Sequence, residues 1–510
     1  MLKNSPLDNI LAIGAVTPHS ARIWVRVSRP GIYTLTWIRL PAGPSGSVPV
    51  CIDDAERDFT GSVTLVEGIE ADCRYRVTLR AAPDQLLATG TFVTAPANAR
   101  SSPTRFSIAL MSCHQPFAPD GRVSEAAEPM LEAVNSVLLD HQVRAVVMGG
   151  DQLYSDYPPK ASLLDPEHFR SVAPAGRAAL LECSAQEVRQ LFHDRYRHFW
   201  NIRGWRELLA NYPCYPILDD HEIMDNWGSA EEHSQERWQA FREGAFRAYM
   251  DYQGSRVCGE RSDLPACFDY TAEYGDIALY VMDLRSNRCV GPNPQLVAPE
   301  QLEQFRAWLT SQADKNVLFV MLSVPLLHLP RRLSRLVARL TPDGEDFSDR
   351  WSSRGHCLNR DQLLRLIHDH QGRHPHQQIV LLSGDIHIGC LHRIVWRDRQ
   401  PSLYQFISSG VTHDAGRVVQ SLSSGIIRLN RRVRVTGGDG PSLRARLHLL
   451  PGEDGARRNP CGRLNVGIVE LQRSAPGAPP TLRFLLYSHQ GSRADCLYRS
   501  PPIAIEAASR

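Results

Sequence analysis

Long apolar runs are missing from this chain. No stretch of about 20 consecutive apolar residues occurs, so nothing in it reads as a membrane-spanning helix. Net charge is also nearly absent. The 57 basic and 55 acidic residues leave +2, too little to hold a nucleic acid or an anionic membrane through a general field. The 12 cysteines include no Cys-x-x-Cys pair, which excludes the common zinc clamps and leaves these thiols as reduced core or surface residues. Residues Met1 to Asp8 carry neither a basic stretch leading into an apolar core nor a twin-arginine pair. No secretory signal is read there, and a cytoplasmic location is expected. No Gly-x-Ser-x-Gly elbow comes after an apolar run and no Walker A loop occurs, which sets aside a serine hydrolase and a nucleotide kinase.

What is there is a globular chain. Its 510 residues, 43% apolar and 22% charged, suit two or three folded units. Residues 1–98 alternate apolar and polar positions in short runs, such as Ala21 to Val27 and Tyr75 to Arg80, separated by turn-rich segments. This predicts an all-β sandwich of the immunoglobulin or fibronectin kind. A linker rich in Ala, Ser and Pro comes next. From 104 to about 500, apolar strand-like runs alternate with helical segments, which predicts an α/β domain. Two insertions interrupt it, at about 158–213 and 414–462. The second contains Arg428, Arg431, Arg432, Arg434, Arg444 and Arg446.

The chemistry lies just past the end of each apolar run. The run from Arg105 ends in Cys113, His114 and Gln115. The run from Arg144 ends in Gly150, Asp151 and Tyr154. The run from Tyr215 ends in Asp219, Asp220, His221 and Glu222. The run from Ile277 ends in Asp283, Arg285 and Arg288, and the run from Ile379 in Gly384, Asp385 and His387. Layered α/β folds build their sites at the C-terminal ends of strands, and five such endings in one chain are hard to explain by packing. Asp151 is placed to bridge two cations, and Tyr154 to offer a phenolate. Asp385 and His387, two apart, point to one side of an extended segment. Asp220 reads as a ligand and His221 as a proton donor to a leaving alkoxide. Asn226, Glu222 and Arg288 are candidates to line the site. Cys113 would be a soft thiolate ligand, although a cysteine after a strand is more often a small core residue. Arg285 would steady phosphoryl oxygens with its guanidinium fork, unless it pairs with Asp283.

In order and type these endings resemble the motif blocks of the calcineurin-like metallophosphoesterases. Cys113 stands where the first block has Asp, and Gln115 where it has His. Gly150, Asp151 and Tyr154 match the tyrosine version of the second block. Asp219 to Glu222 replace Gly-Asn-His-Glu, and Gly384 to His387 replace Gly-His-x-His. Ser323 to Pro325 stand at the penultimate block, which has lost its His. These substitutions resemble the PhoD-type alkaline phosphatases. That branch also has Asp-x-Arg-x-x-Arg, met by Asp283, Arg285 and Arg288, and a stretch similar to Asp349 to Trp351 with Arg360 to Leu363 after it. The resemblance implies a four-layer αββα sandwich with metals at the sheet edges, behind an N-terminal β-sandwich.

The donor types point to the metals separately. Cys113, Asp151, Tyr154 and His387 would suit Fe(III). Asp151, Asp220 and Asp385 form an all-oxygen set suited to Ca²⁺, with Mg²⁺ or Mn²⁺ as substitutes. The resemblance implies the same iron and calcium pairing. The expected reaction is in-line attack of a metal-activated water on the phosphorus of a phosphate ester. Two other readings stand beside it. One is a phosphodiesterase or phospholipase D-like enzyme on larger anionic esters, to which the basic insertion at 414–462 would contribute unless it is a solvated face. The other is a non-catalytic binding protein on a decayed phosphatase fold.

Overall fold

A computed structural model describes residues 9–328, 351–353, 355–437, 441–453, 459–476 and 478–505. Seven strands form the N-terminal part: β1 (Ile10–Thr17), β2 (Ser20–Arg26), β3 (Gly31–Arg39), β4 (Ser45–Ile52), β5 (Thr60–Leu65), β6 (Arg74–Ala82) and β7 (Gln85–Val93). They make two antiparallel sheets, ordered β1-β2-β5 and β4-β3-β6-β7. Alternation sets the faces. In β6, Tyr75, Val77 and Leu79 are buried between the exposed Arg74 and Arg76 and the part-exposed Thr78 and Arg80.

Fifteen further strands lie among the described residues. They are β8 (Arg105–Met111), β9 (Val143–Gly149), β10 (Cys214–Ile217), β11 (Tyr270–Tyr274), β12 (Ile277–Met282), β13 (Val317–Leu322), β14 (Gln378–Ser383), β15 (Cys390–Trp396), β16 (Leu403–Ile407), β17 (Arg432–Val435), β18 (Leu443–Leu449), β19 (Val466–Gln472), β20 (Thr481–Gln490), β21 (Arg493–Arg499) and β22 (Ile503–Ala504). Nine helices are interspersed among the same described residues: α1 (Ala127–Asp140), α2 (Pro166–Val172), α3 (Ala185–Trp200), α4 (Arg203–Asn211), α5 (Gln239–Tyr249), α6 (Ser255–Cys258), α7 (Pro299–Ser311), α8 (Cys357–Arg373) and α9 (Arg417–Leu429).

These strands form two mixed sheets. One runs β10-β9-β8-β19-β20-β21 with β22 on β20, and the other β11-β12-β13-β14-β16-β15-β18-β17. The central strands are parallel within each sheet: β8, β9 and β10 in the first, β12, β13, β14 and β16 in the second. Buried on both faces, they read as continuous apolar runs. Strand β12 divides by the two-residue period. Ile277, Leu279 and Val281 join the core shared with the other sheet, and Ala278, Tyr280 and Met282 pack with Phe305 and Trp308 of α7 and Leu363 and Ile367 of α8. Phe406 of β16 meets Phe484 of β20 across the sheets, ring centroids 5.1 Å apart. Parallel strands in one sheet point their C-terminal ends the same way, and this brings distant segments to one edge.

The N-terminal sheets are fastened to the rest by a buried ionic network. Asp58 accepts from Arg26 (3.1 and 3.2 Å), Arg197 (2.5 Å) and the Tyr252 hydroxyl (2.5 Å). Asp251 takes Arg189 (2.7 and 2.8 Å), Arg57 (3.3 Å) and His193 (2.8 Å), while its carbonyl accepts the Trp24 indole N–H (2.7 Å). Asp251 lies in a single π-helical turn, Met250–Gly254, that continues α5. Burial alone would raise the Asp251 pKa, but the hydrogen bonds from His193 and Arg189 hold it below its ordinary value. Its contribution to stability is therefore full above about pH 4 and is lost as pH falls through the depressed folded value. Asp251→Ala should cost about 3–5 kcal/mol, because it leaves guanidinium charge buried. Urea unfolding followed across pH 3–8 checks both points, and a variant as stable as the parent at pH 7 would contradict them.

Candidate metal centre

Three loops after β8, β9 and β10 and one after β14 converge at the joined sheet edges. The approach needs residues without bulk. Gly150 has φ +95°, and a Cβ on it would stand 2.4 Å from Asp219 Cβ; a Cβ on Gly384 would stand 2.3 Å from Ser112 Oγ. The turns themselves are unusual. Of the ten described non-glycine residues with positive φ, five are site candidates: Cys113 (59°), Asp151 (59°), Asn226 (56°), Asp385 (64°) and His387 (53°). Each such conformation costs about 1–3 kcal/mol and persists where the surroundings over-determine it, which is common at ligand clamps.

At the floor, Cys113 Sγ lies 3.3 Å from Asp151 Oδ2, 3.2 Å from Ser409 Oγ and 3.9 Å from the Asp385 carbonyl. The Tyr154 hydroxyl lies 3.4 Å from the same Asp151 oxygen. Two groups of ligand atoms each fall within 4.8 Å of one another: Asp151, Asp220 and His221, and Asp219, Asp220 and Asp385. Asp220 is common to both, whereas the sequence reading made Asp151 the shared residue. His387 stacks on His413, centroids 4.1 Å apart, and its backbone N–H donates to Ser409 Oγ (2.9 Å).

The electrostatics are those of crowded anions. Burial and then the neighbouring Cys113 raise the Asp151 carboxyl well above its ordinary range, with Asp220 and Asp219 adding to this against His221. Burial likewise raises the Cys113 thiol and the Tyr154 phenol. Asp151 Oδ1 is buried with no hydrogen-bond partner among the described residues. Such an oxygen amid carboxylates, a thiol and a phenol fits a site built for cations, whose charge reverses each of these shifts.

Glu222 acts on the backbone. Its carboxylate accepts from the N–H groups of Asp151 (2.8 Å), Gln152 (2.7 Å) and Asp219 (2.7 Å) and from Gln253 Nε2 (3.2 Å), so it staples the β9 and β10 loops together. Burial raises it to about 7, against the pull of these donors. Arg285 is fully buried. Its Nε donates to Asp219 Oδ1 (2.5 Å), Nη2 lies 3.4 Å from Asp220 Oδ1 and Nη1 donates to the Trp227 carbonyl (3.3 Å). The guanidinium therefore holds the acidic pair, where the sequence reading aimed it at phosphoryl oxygens. Asp283, its other expected partner, instead accepts the backbone N–H groups of Arg285 (2.8 Å) and Ser286 (3.0 Å). Ser323, at the block that lost its His, donates to Asp219 Oδ1 (3.0 Å). Asn226 donates its backbone N–H to Asp220 Oδ2 (2.8 Å), and Arg288 is buried beside Gly228. Asp349 lies outside the described residues, while Arg360 pairs with Asp361 (2.5 Å) on α8.

The rim is more open. His221 Nδ1 faces Asp156 (2.8 and 3.1 Å), and its ring stacks on Tyr154 with centroids 4.1 Å apart. Asp156, Tyr157, His387 and His413 are half-buried, and the His413 ring lies 5.5 Å from that of Tyr154 and 5.9 Å from that of Tyr157. Sequence reasoning missed Asp156, Ser409 and His413. A polar stretch does come after the β16 run, from Ser408 to His413, and that was the available signal. It also missed Arg195 of α3, whose guanidinium donates to the carbonyls of Tyr154 (2.6 Å), Tyr157 (2.5 Å) and Ala161 (2.9 Å) and so clamps the Asp151 loop from behind.

The fold and the gathered donors define a metal-dependent phosphoric ester hydrolase. Residues 108–435 match the PhoD-like phosphatase family, and the chain belongs to it. No protein of curated function matches it in sequence. Among solved structures it is similar to PhoD, at 14% identity over 97% of this chain and 92% of that one, with a TM-score of 0.61. It is also similar to a purple acid phosphatase from yellow lupin (Lupinus luteus) seeds, at 10% identity over 98% and 75%, with a TM-score of 0.56. At these identities the likeness is one of fold. Among the described residues no helix is long and apolar enough to cross a membrane.

Proposed function

We propose that the chain hydrolyses phosphate esters at a two-cation site held by Cys113, Asp151, Tyr154, Asp220, Asp385 and His387, with Asp219 beside them. The carrying observation is the convergence of side chains from four strand ends on one edge, around a buried carboxylate oxygen with no protein donor. Thiolate and phenolate beside Asp151 favour Fe(III); the oxygens around Asp220 and Asp385 favour Ca²⁺, with Mg²⁺ or Mn²⁺ able to substitute. Bound cations would supply an activated water and neutralise the charge that develops in an in-line displacement.

The protein's own part is orientation and proton transfer. His221, tethered at Nδ1 by Asp156, has Nε2 at 3.8 Å from Asp225 Oδ1 and would offer that nitrogen to the leaving oxygen. Glu222 and Arg285 are positioning residues: the first fixes the loop backbones and the second neutralises and aligns Asp219 and Asp220. Residues 1–98 form a separate sandwich domain in this reading, and 104–500 the αββα hydrolase with insertions at about 158–213 and 414–462. The layers are supported by helices α7 and α8 on the outer face of one sheet and by the aromatic contact between the two sheets.

Elemental analysis of the purified protein, run with a panel of chromogenic phosphate monoesters and diesters, tests the proposal. Two metals per chain and turnover of at least one ester class are expected, and the preferred class separates monoesterase from diesterase. Protein loaded with two metals that turns over no ester would instead favour the non-catalytic reading.

A further inference from the structure

At one end of the eight-stranded sheet, strands β15, β18 and β17 have an apolar face packed on α8, built from Ile394, Trp396, Val433, Val435, Ala445 and Leu447. The opposite face is arginine. With a two-residue side-chain period, β17 presents Arg432 and Arg434, and β18 presents Arg444, Arg446 and His448, all exposed. The register sets Arg432 directly opposite Arg446 and Arg434 directly opposite Arg444. Like charges in opposed positions destabilise a sheet, and among the described residues no ion pair to a carboxylate offsets them. Residues 428–446 hold six arginines against one acidic residue, in a chain whose whole excess is +2.

Residues at the end of α9 and residues of β17 and β18 together line a half-open cavity of about 830 Å³. Arg428, Arg431, Arg432 and Arg446 line it beside His448, and Ile427, Leu447 and Leu449 are among its apolar lining residues. Its volume falls within the roughly 300–1,000 Å³ of sites that enclose small molecules. Ile427 also packs with Ile386 and Ile388, so a small apolar cluster joins the cavity wall to the Asp385–His387 loop.

We propose that this cavity is a second anion site, for a soluble organic polyphosphate. Guanidinium forks hold phosphate oxygens in pairs, and an anion between opposed arginines turns their repulsion into binding. Four cations in one concavity call for more than one phosphoryl group, and the aliphatic wall suits an uncharged body attached to them. These residues line one half-open concavity, which suits a compact anion better than the extended backbone of a nucleic acid or the plane of a membrane. The site stands independently of the metal reading.

The test is calorimetric titration of the metal-loaded protein with inorganic triphosphate and, separately, orthophosphate. It is repeated on the Arg432→Gln/Arg446→Gln double variant, with metal content and ester turnover measured alongside. Triphosphate binding should weaken on the order of a hundredfold in the double variant, since two charge-assisted contacts are lost. Orthophosphate should bind this site at least about tenfold more weakly than triphosphate, as it makes fewer such contacts. Metal content and turnover should match the parent, and the ligand-free variant should melt at or above the parent because a like-charge pair is gone. An isotherm unchanged by the double substitution would overturn the proposal. So would a variant that melts below the parent, which would assign these arginines to the fold. Arginine-dependent binding of anionic phosphatidylglycerol vesicles or of a short single-stranded oligonucleotide, with none of triphosphate, would overturn it too.

Discussion

Asp151→Asn protein is expected to lose its metals and its turnover together while keeping its fold. The substitution preserves volume and leaves the backbone N–H bond to Glu222 in place. It removes the anionic oxygens on which the site is centred, one close to Cys113 and Tyr154 and the other without a protein donor. Without cations, burial and the neighbouring Cys113 hold this carboxyl well above its ordinary pKa, so loading must displace a proton and metal affinity should rise with pH. Asparagine is a neutral near-isostere of the protonated carboxyl, and the metal-free variant should therefore melt no lower than the metal-free parent. The parent should gain about 2.7 kcal/mol from metal at a hundred times its dissociation constant, and the variant should gain nothing. Turnover should fall by at least about 10²–10³-fold, the scale of losing one electrostatic element of a catalytic site. The measurements are metal per chain by elemental analysis, melting with and without chelator, and ester hydrolysis. A metal-free Asp151→Asn protein that still turns over at the parent rate would end the two-cation scheme.

The second large effect belongs to His221. Without cations, burial would lower its pKa, but Asp156 and then Asp220 and Asp151 outweigh burial and raise it; with cations on Asp220 and Asp151, Asp156 at Nδ1 still favours the charged ring. A protonated imidazole is the form that donates, so hydrolysis of esters with poor leaving groups should fall as pH rises through this pKa. His221→Asn should slow alkyl phosphate esters by about 10²–10⁴-fold and flatten that alkaline limb. It should barely touch p-nitrophenyl esters, whose leaving oxygen needs no proton. Asp156→Asn should move the same limb to lower pH, because it removes the carboxylate that favours the charged ring. Equal losses on alkyl and nitrophenyl esters in His221→Asn would assign this residue to metal binding instead of proton transfer.

Much of the scaffold was legible in the sequence. The runs that begin at Arg105 and Ile277 became the strands Arg105–Met111 and Ile277–Met282, and the run from Ile379 lies within Gln378–Ser383. Strands buried on both faces can hardly avoid being continuous apolar runs. The polar residues beyond them are visible because the apolar run stops there. Arg285 is a different case. Its position at a strand end was readable, but its direction was not, since the choice between phosphate, Asp283 and Asp219 depends on where β10 lies beside β12 in space. Glu222 looked like one acid in an acidic stretch, and only the folded backbone offers it three N–H donors.

By itself, then, the sequence determined the strand runs, the order of the chemical groups after them and the kind of donors available, because these depend on neighbours within a few residues. The tertiary structure decided which groups meet. Cys113 meets Ser409, 296 residues away, and His221 meets Asp156, 65 away; α3 supplies Arg195 to the Asp151 loop. It also set Arg432 against Arg446. These pairings come from strand order and register, which are fixed by how whole sheets bury their faces, and no local window of residues contains that information.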